Sequence, residues 1–428
     1  MISRRHRHEV RGCRGCRGCQ RVGNPPLERH EVRLRGLLAA VLLVSGVSGC
    51  APARGAQPGP SAPDRFTARL QAKLDSLHAA GHFPGATVGV TLPGGRTIGL
   101  STGLADSSGV AMRPHDRLLA GSVGKTFVAA VAMQLVQEGK LGLDQPISTW
   151  LGAEPWFDRL PNARAVTVRM LMNHTSGLVR YEFNDAFLRD LNANPMKRWT
   201  PAERLAYLLD ARAPFEAGKG WDYSDTNYIV LGAIIERITG STLEREIRRR
   251  VLDPHHLTDV IPSDTVVLPG VVQGYAGPEN PFGNAPRMIR EGRFIVNPQF
   301  EWAGGGYATS APDLARWAAL LWGGRAFDRA LLAQVVDAVP AQALGPGARY
   351  GLGVIVREGA LGPSYGHSGY FPGYLTDVRY YPRQDFSVAL QVNSSARGAL
   401  TRGLGAMVED LARIVADELA ASAVAPAR

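Results

Sequence analysis

The chain has 428 residues, of which 45% are hydrophobic and 20% charged, a composition that suits one large or two average globular domains and excludes a wholly disordered chain. Its net charge of +10 would suit a nucleic-acid binder, but residues 1–35 carry ten Arg against three Glu, which leaves +3 for the rest, too little for a phosphate-tracking surface. All four cysteines (Cys13, Cys16, Cys19 and Cys50) lie in the first fifty residues, so the remainder forms neither disulfide nor thiolate metal site, and the bare Arg-Gly-Cys repeat at 11–19 is not read as a metal knuckle.

In chain order, residues 1–49 read as an unstructured leader and a signal peptide: Arg33 and Arg35 precede an apolar stretch, Leu37 to Val47, that is too short for a membrane span. Residues 50–64, rich in Ala, Pro and Gly, read as a flexible tether. Residues 65–428 then form one α+β domain. Phe66, Leu70, Leu74 and Leu77 share a helical face between Asp64 and Gly81. Ala86–Leu92 and Arg96–Thr102 form a hairpin around Pro93-Gly94-Gly95. A buried helix runs from Ser122 to Glu138, and a helical, loop-rich insert occupies about 146–290. Strand patterns return in Gly351–Val356, Tyr374–Tyr381 and Phe386–Val392, before an amphipathic helix over Ala399–Leu419. Strands near both ends of the domain predict one antiparallel sheet completed by both termini and flanked by helices.

Three segments carry chemistry. In Ser122-Val123-Gly124-Lys125 the hydroxyl and the amine are three residues apart, hence on one helical face. A serine at a helix start also has a backbone N–H free for an oxyanion, and a desolvated lysine can serve as a base. Tyr223, within Trp221-Asp222-Tyr223-Ser224-Asp225, offers a phenol to relay protons. Tyr365-Gly366-His367-Ser368-Gly369-Tyr370 offers an imidazole and a Gly-flanked strand along which a substrate backbone can pair. Gly121–Thr126 also looks like the tail of a phosphate-binding loop, but that loop needs Gly where Leu119 stands.

With these motifs in this order the sequence resembles the serine β-lactamase family, in the branch holding class C β-lactamases, D-alanyl-D-alanine carboxypeptidases, D-aminopeptidases and related esterases. That branch is marked by Ser-x-x-Lys, Tyr-x-Asn and then Lys or His-x-Gly. Leu171-Met172-Asn173-His174-Thr175-Ser176-Gly177-Leu178 and Trp302-Ala303-Gly304-Gly305-Gly306-Tyr307 are similar to further family segments, and the resemblance covers nearly all of 65–420. It implies a β-lactamase/transpeptidase-like fold, with Ser122 as nucleophile, Lys125 as its base and Tyr223 as proton relay. His367 would replace the third-motif Lys on the strand carrying Ser368 and Gly369, and the N–H groups of Ser122 and Tyr370 would form the oxyanion hole. It further implies no metal or organic cofactor, a monomer, and a small-molecule or peptidoglycan-derived peptide substrate. His174 is read as structural. Val47-Ser48-Gly49-Cys50 resembles the lipobox of bacterial lipoproteins, which implies lipidation of Cys50 and an exported, periplasmic or cell-envelope protein held on the membrane.

One position departs from the pattern. Asp225 stands where the family has Asn, and a carboxylate only accepts where an amide also donates; its charge should raise the Lys125 pKa. Carboxypeptidases of the branch also tend to carry an Arg just after the Tyr-Gly-Leu-Gly strand, where Val354, Ile355 and Val356 stand here, with Arg357 as the nearest substitute. The expected activity is therefore that of a D-alanyl-D-alanine carboxypeptidase-like enzyme or an esterase. A β-lactamase and a catalytically inactive cell-wall-binding relative are the alternatives.

Overall fold

The computed structural model describes residues 62–424. The leader, the signal stretch and Cys50 lie outside the described residues. The first helix begins at Ala62, so the last tether positions, 62–64, belong to the folded domain instead.

The principal elements are α1 (Ala62–Ala80), β1 (Gly85–Thr91), β2 (Thr97–Gly103), α2 (Lys125–Gln137), α3 (Thr226–Thr239), α4 (Ala311–Trp322), β3 (Ile355–Gly359), β4 (Gly362–Phe371), β5 (Tyr374–Tyr381), β6 (Phe386–Val392) and α5 (Leu404–Val424). The sheet runs in the order β2-β1-β6-β5-β4-β3 and ends in two short strands, Arg349–Tyr350 and Val339–Pro340, with every neighbouring pair antiparallel. Ala86 of β1 lies opposite Val392 of β6, so the first and last long strands are neighbours inside the sheet, each flanked by a strand on its other side. Both are buried along their whole length. One face is covered by α1 and α5, whose Phe66, Leu70, Leu74, Val408, Leu411 and Val415 pack with Val88 and Leu390. The other face carries α4 and the helical region, which share the larger apolar cluster with α2 and α3.

Two boundaries differ from expectation. The strand expected over Gly351–Val356 starts only at Ile355, because Gly351 and Val354 close a turn (N–H to carbonyl 2.8 Å) in which Gly353 takes φ +76°. The last helix starts at Leu404 rather than Ala399. Ala399 and Leu400 continue the apolar spacing and do reach the core, but the Ala399 carbonyl accepts from the His82 N–H at 2.8 Å and is lost to a helical ladder. The helical insert carries its helices between Ser148 and Leu252, while most of 253–297 is loop and two-residue strands. Within it the fully buried Arg204 donates to the carbonyls of Trp199, Gln299 and Phe300 at 2.7–2.8 Å, fixing the segment that leads to Glu301. No helix among the described residues is long and apolar enough to cross a membrane.

Candidate active site

Ser122 sits on a tight 3-10 turn, Gly121–Gly124, that runs directly into α2. The turn is pressed against the end of β4. Gly121 has φ +51°, and a Cβ there would stand 2.5 Å from the Tyr370 carbonyl oxygen; a Cβ on Gly369 would stand 1.9 Å from the Ala120 carbonyl oxygen. Only glycine fits at these two places. The contact sets the backbone at Ser122 beside that of Tyr370. Leu119 is meanwhile paired with Ala308 in a short strand, which leaves the turn clamped rather than open as a phosphate-binding loop would be.

Lys125 opens α2 and is fully buried. Its ammonium donates to Ser122 Oγ at 3.0 Å, to Asp225 Oδ1 at 2.5 Å and to the Gly304 carbonyl. The one-turn spacing thus brings hydroxyl and amine together, and the Trp302–Tyr307 segment supplies a carbonyl that aims the amine. Burial alone would lower the Lys125 pKa, but the charges of Asp225 and Tyr223 and the hydrogen bonds to them together outweigh it and the net direction is up. Asp225 in turn is pushed up by burial and pulled down further by Lys125 and Arg180, so its net direction is down. The two form a buried ion pair at rest.

Tyr223 lies across this pair, with the Lys125 nitrogen 4.9 Å from its ring centre. Its hydroxyl makes no well-formed hydrogen bond. Burial raises its pKa, although nearby Lys125 and Ser122 restrain the rise. The ring is held by His174, whose ring centre is 4.2 Å away. His174 has φ +63° and is itself fixed by its Nδ1, which accepts from the Ser224 N–H at 3.2 Å and from Asn227 Nδ2 at 3.0 Å. Asn227 also accepts from the Ser176 hydroxyl at 2.5 Å. The His-Thr-Ser-Gly loop and α3 are therefore tied together beneath Tyr223.

His367 reaches the site, 6.3 Å from the Tyr223 ring, but both its nitrogens are engaged. Nδ1 donates to the Ser368 carbonyl at 2.7 Å, and Nε2 accepts from the Tyr350 hydroxyl at 2.8 Å. Burial first, then the Lys125 charge, lowers its pKa to about 3. It is a neutral imidazole, so no cation stands at the third-motif position on β4. Ser368, Gly369 and Tyr370 follow it along the rim.

Two further carboxyls, unmarked by any motif spacing, close the site. Glu182 accepts from Arg180 Nε at 2.6 Å; burial and the Asp225 charge raise its pKa to about 7. Glu301 is 8% exposed and its Oε2 has no hydrogen-bond partner. Burial, then Asp225, drives its pKa well above the usual carboxyl range. Glu301 directly precedes the Gly-rich segment, and Glu182 lies four residues past Leu178. Those neighbourhoods were the only available signal.

Ser122 stands where two cavities meet. One is an open groove of about 1000 Å³ that passes Tyr223, His367 and Ser368 and reaches Arg357 and Arg379. The other is an apolar pocket of about 140 Å³ that includes Asp225, Glu182 and Glu301. A hydroxyl with a proton-transfer partner at this junction can divide a substrate into two halves, one lodged in each cavity.

A family model described as Beta-lactamase matches residues 70–416. Among curated proteins, the chain is 32% identical over 203 residues to an esterase, EstB, of Burkholderia gladioli (45% of this chain, 51% of that protein). It is 31% identical over 191 residues to penicillin-binding protein 4 of Amycolatopsis lactamdurans (44% and 47%). The chain thus spans about half the length of these curated relatives. Solved structures match further. A D-stereospecific amidohydrolase from Streptomyces sp. superposes with a TM-score of 0.67 at 26% identity, covering 79% of this chain and 97% of that one. A D-amino acid amidase from Ochrobactrum anthropi SV3, complexed with L-phenylalanine amide, gives 0.69 at 25% identity (84% and 99%).

Proposed function

The chain belongs to the beta-lactamase family, and on that premise we propose that it is a serine hydrolase that cleaves small acyl esters and amides through an acyl-enzyme on Ser122. The observation that carries this reading is the 3.0 Å contact between Ser122 Oγ and Lys125 Nζ at the junction of two cavities. The neutral amine of Lys125, reached by loss of its proton to solvent, takes the Ser122 proton across the 3.0 Å contact. The alkoxide attacks the acyl carbon, and the oxyanion is held by the N–H groups of Ser122 and Tyr370. Collapse expels the alcohol or amine, which receives its proton through Tyr223, and the Lys125 proton replenishes the phenol. Water then attacks the ester on Ser122, releases the acid and restores the hydroxyl.

The neutral His367 supports an ester or amide without a terminal carboxylate over a D-alanyl peptide, since no cation stands on β4 to hold that group. A second reading, the D-alanyl-D-alanine carboxypeptidase, is favoured by Arg357, which lines the groove. The test is intact-mass analysis after incubation with a fluorescent penicillin, beside turnover of a short-chain nitrophenyl ester, using residues 62–428. Ser122→Ala and Lys125→Arg should each cut ester turnover on the order of 10³-fold or more. Ester turnover without a stable penicillin adduct supports the esterase or amidase. A stable adduct on Ser122 supports the carboxypeptidase, and inertness in both assays would overturn the hydrolase. Export and a lipid anchor at Cys50 belong to the same reading on the Val-Ser-Gly-Cys motif; Cys50→Ala should release the protein from membranes, and unchanged membrane partition would remove the anchor.

A further inference from the structure

Lys125 Nζ has three hydrogen-bond partners, and two of them can only accept. Asp225 Oδ1, at 2.5 Å, and the Gly304 carbonyl have no proton to give, whereas the Ser122 hydroxyl, at 3.0 Å, can donate or accept. The ammonium fills all three contacts. The neutral amine has only two N–H bonds, and the two acceptor-only partners take both, which turns the lone pair to Ser122. The Tyr223 hydroxyl makes no well-formed hydrogen bond that would compete. An Asn at position 225 could instead donate to that lone pair. The aim of the amine is therefore set by where Asp225 and the Gly304 carbonyl stand.

Asp225 is held at the start of α3, but the Gly304 carbonyl belongs to a turn and has no side chain to fix it. That turn is closed by the Gly304 N–H, which donates to the Glu301 carbonyl at 2.7 Å, and by the Gly306 N–H, which donates to the Trp302 carbonyl at 2.8 Å. It requires φ +40° at Trp302, a region that residues of this bulk rarely adopt and that persists only where the surroundings enforce it. The enforcement is visible at the indole. It lies over Gly232 of α3, where a Cβ would stand 2.9 Å from the ring, and the guanidinium carbon of the buried Arg204 is 5.6 Å from its centre. Arg204 also holds the carbonyls of Gln299 and Phe300 just before the turn. Gly232 is seven residues past Asp225, two helical turns, so one helix carries Asp225 and seats Trp302. Trp302 itself lines neither of the two cavities that meet at Ser122.

We propose that Trp302 is a positioning residue for the base: seated on Gly232 and Arg204, it fixes the Gly304 carbonyl so that neutral Lys125 presents its lone pair to Ser122. The inference rests on the assignment of Ser122 as nucleophile and adds to it a residue remote from the reacting atoms. In the step it serves, the Ser122 O–H bond breaks and its proton moves onto the Lys125 lone pair. The oxygen's freed electron pair forms the bond to the acyl carbon, and the ammonium regains three donors for three partners.

Single-turnover kinetics, with the full chain in excess over a short-chain nitrophenyl ester, separate the acylation rate constant from half-saturation, and thermal unfolding checks the fold. Trp302→Leu keeps an apolar side chain and loses the ring. Acylation per folded molecule should fall about 10- to 100-fold, the cost of a base misplaced by about an ångström, while half-saturation stays within about threefold. Trp302→Phe, which keeps an aromatic ring over Gly232 and Arg204, should recover most of the loss. A purely structural residue would lower the unfolding temperature and leave acylation per folded molecule unchanged; that result would overturn the proposal. A fall in rate matched by an equal rise in half-saturation, or a Phe variant no better than Leu, would do the same. Should Trp302→Leu fail to fold, Gly232→Ala, which drives a methyl group against the indole, decides by the same two readings. Wild-type acylation in the Trp302 variants, with turnover abolished by Ser122→Ala, would remove the positioning role and leave the hydrolase standing. Turnover that survives Ser122→Ala would overturn both.

Discussion

Two buried charge clusters, one beneath α5 and one around Ser122, are built on opposite principles. Beneath α5, Arg379 donates to Asp377 at 2.8 Å and to Glu409 at 2.6 Å, and the Tyr381 hydroxyl donates to Glu409 at 3.2 Å. Each carboxylate there has a partner, and Arg357 adds a second positive charge nearby. Around Ser122 the carboxyls outnumber the cations, one of them has an oxygen without a partner, and the Lys125 amine is shared between an acid and a carbonyl. Charges that balance hold a fold together; a buried carboxyl left without a cation keeps its proton.

That contrast can be broken most forcefully at its balanced end. Arg379→Met should leave Asp377 and Glu409 without their cation and cost about 3 kcal/mol of stability in denaturant titration, reduced from the fully buried case because Glu409 is partly solvated. Acylation of Ser122 per folded molecule should persist, since the cluster does not touch Ser122, while KM should rise for a substrate long enough to reach Arg379 in the groove. A neutral effect on stability would show that the α5 cluster is not structural after all.

At the unbalanced end, Asp225→Asn removes the largest of the influences that oppose burial at Lys125. The Lys125 pKa should then fall, because burial, the largest single cause, is left opposed by Tyr223 alone. With the neutral amine as the proposed base, the rising limb of kcat/KM against pH should move to lower pH. The same change gives the side chain an N–H to donate, so amide turnover should gain on ester turnover. A limb that stays in place would separate Asp225 from the protonation of Lys125.

The smallest expected effect sharpens the comparison. Glu301 has a folded-state pKa above its unfolded value of 4.5, so its stabilising protonated form is fully present below that value and is lost as pH rises toward the folded pKa. Glu301→Gln should therefore match the wild type near pH 4.5 and exceed its stability at neutral pH. Lys125, Asp225 and Glu182 face the same space and keep their own titrations in both proteins. A loss of stability at neutral pH would mean that Glu301 is ionised and paired in the empty site.

Much of this is legible in the sequence. The Ser122 and Lys125 pair follows from helical spacing, and the strands Tyr374–Tyr381 and Phe386–Val392 keep the bounds their alternation predicts. The departure at Asp225 foretold a paired, protonated Lys125. His367 was less legible: its sequence neighbours mark it as a site residue, but its neutrality depends on burial and on the charge of Lys125, far away in the chain, and its Nε2 is occupied by the hydroxyl of Tyr350, seventeen positions away. Glu182 and Glu301 carried no spacing signal at all. They are 119 residues apart, as the partners Tyr181 and Phe300 beside them are, and only the packing of the helical region brings them to one pocket.

By itself the sequence determined the elements, the order of the motifs and the contact between Ser122 and Lys125, because those depend on periodicity and on neighbours within one helical turn. The tertiary structure decided which of the titratable groups are charged, which are paired and which carboxyl is left over. Those properties depend on desolvation and on distances between segments far apart in the chain, and neither quantity is written in local spacing.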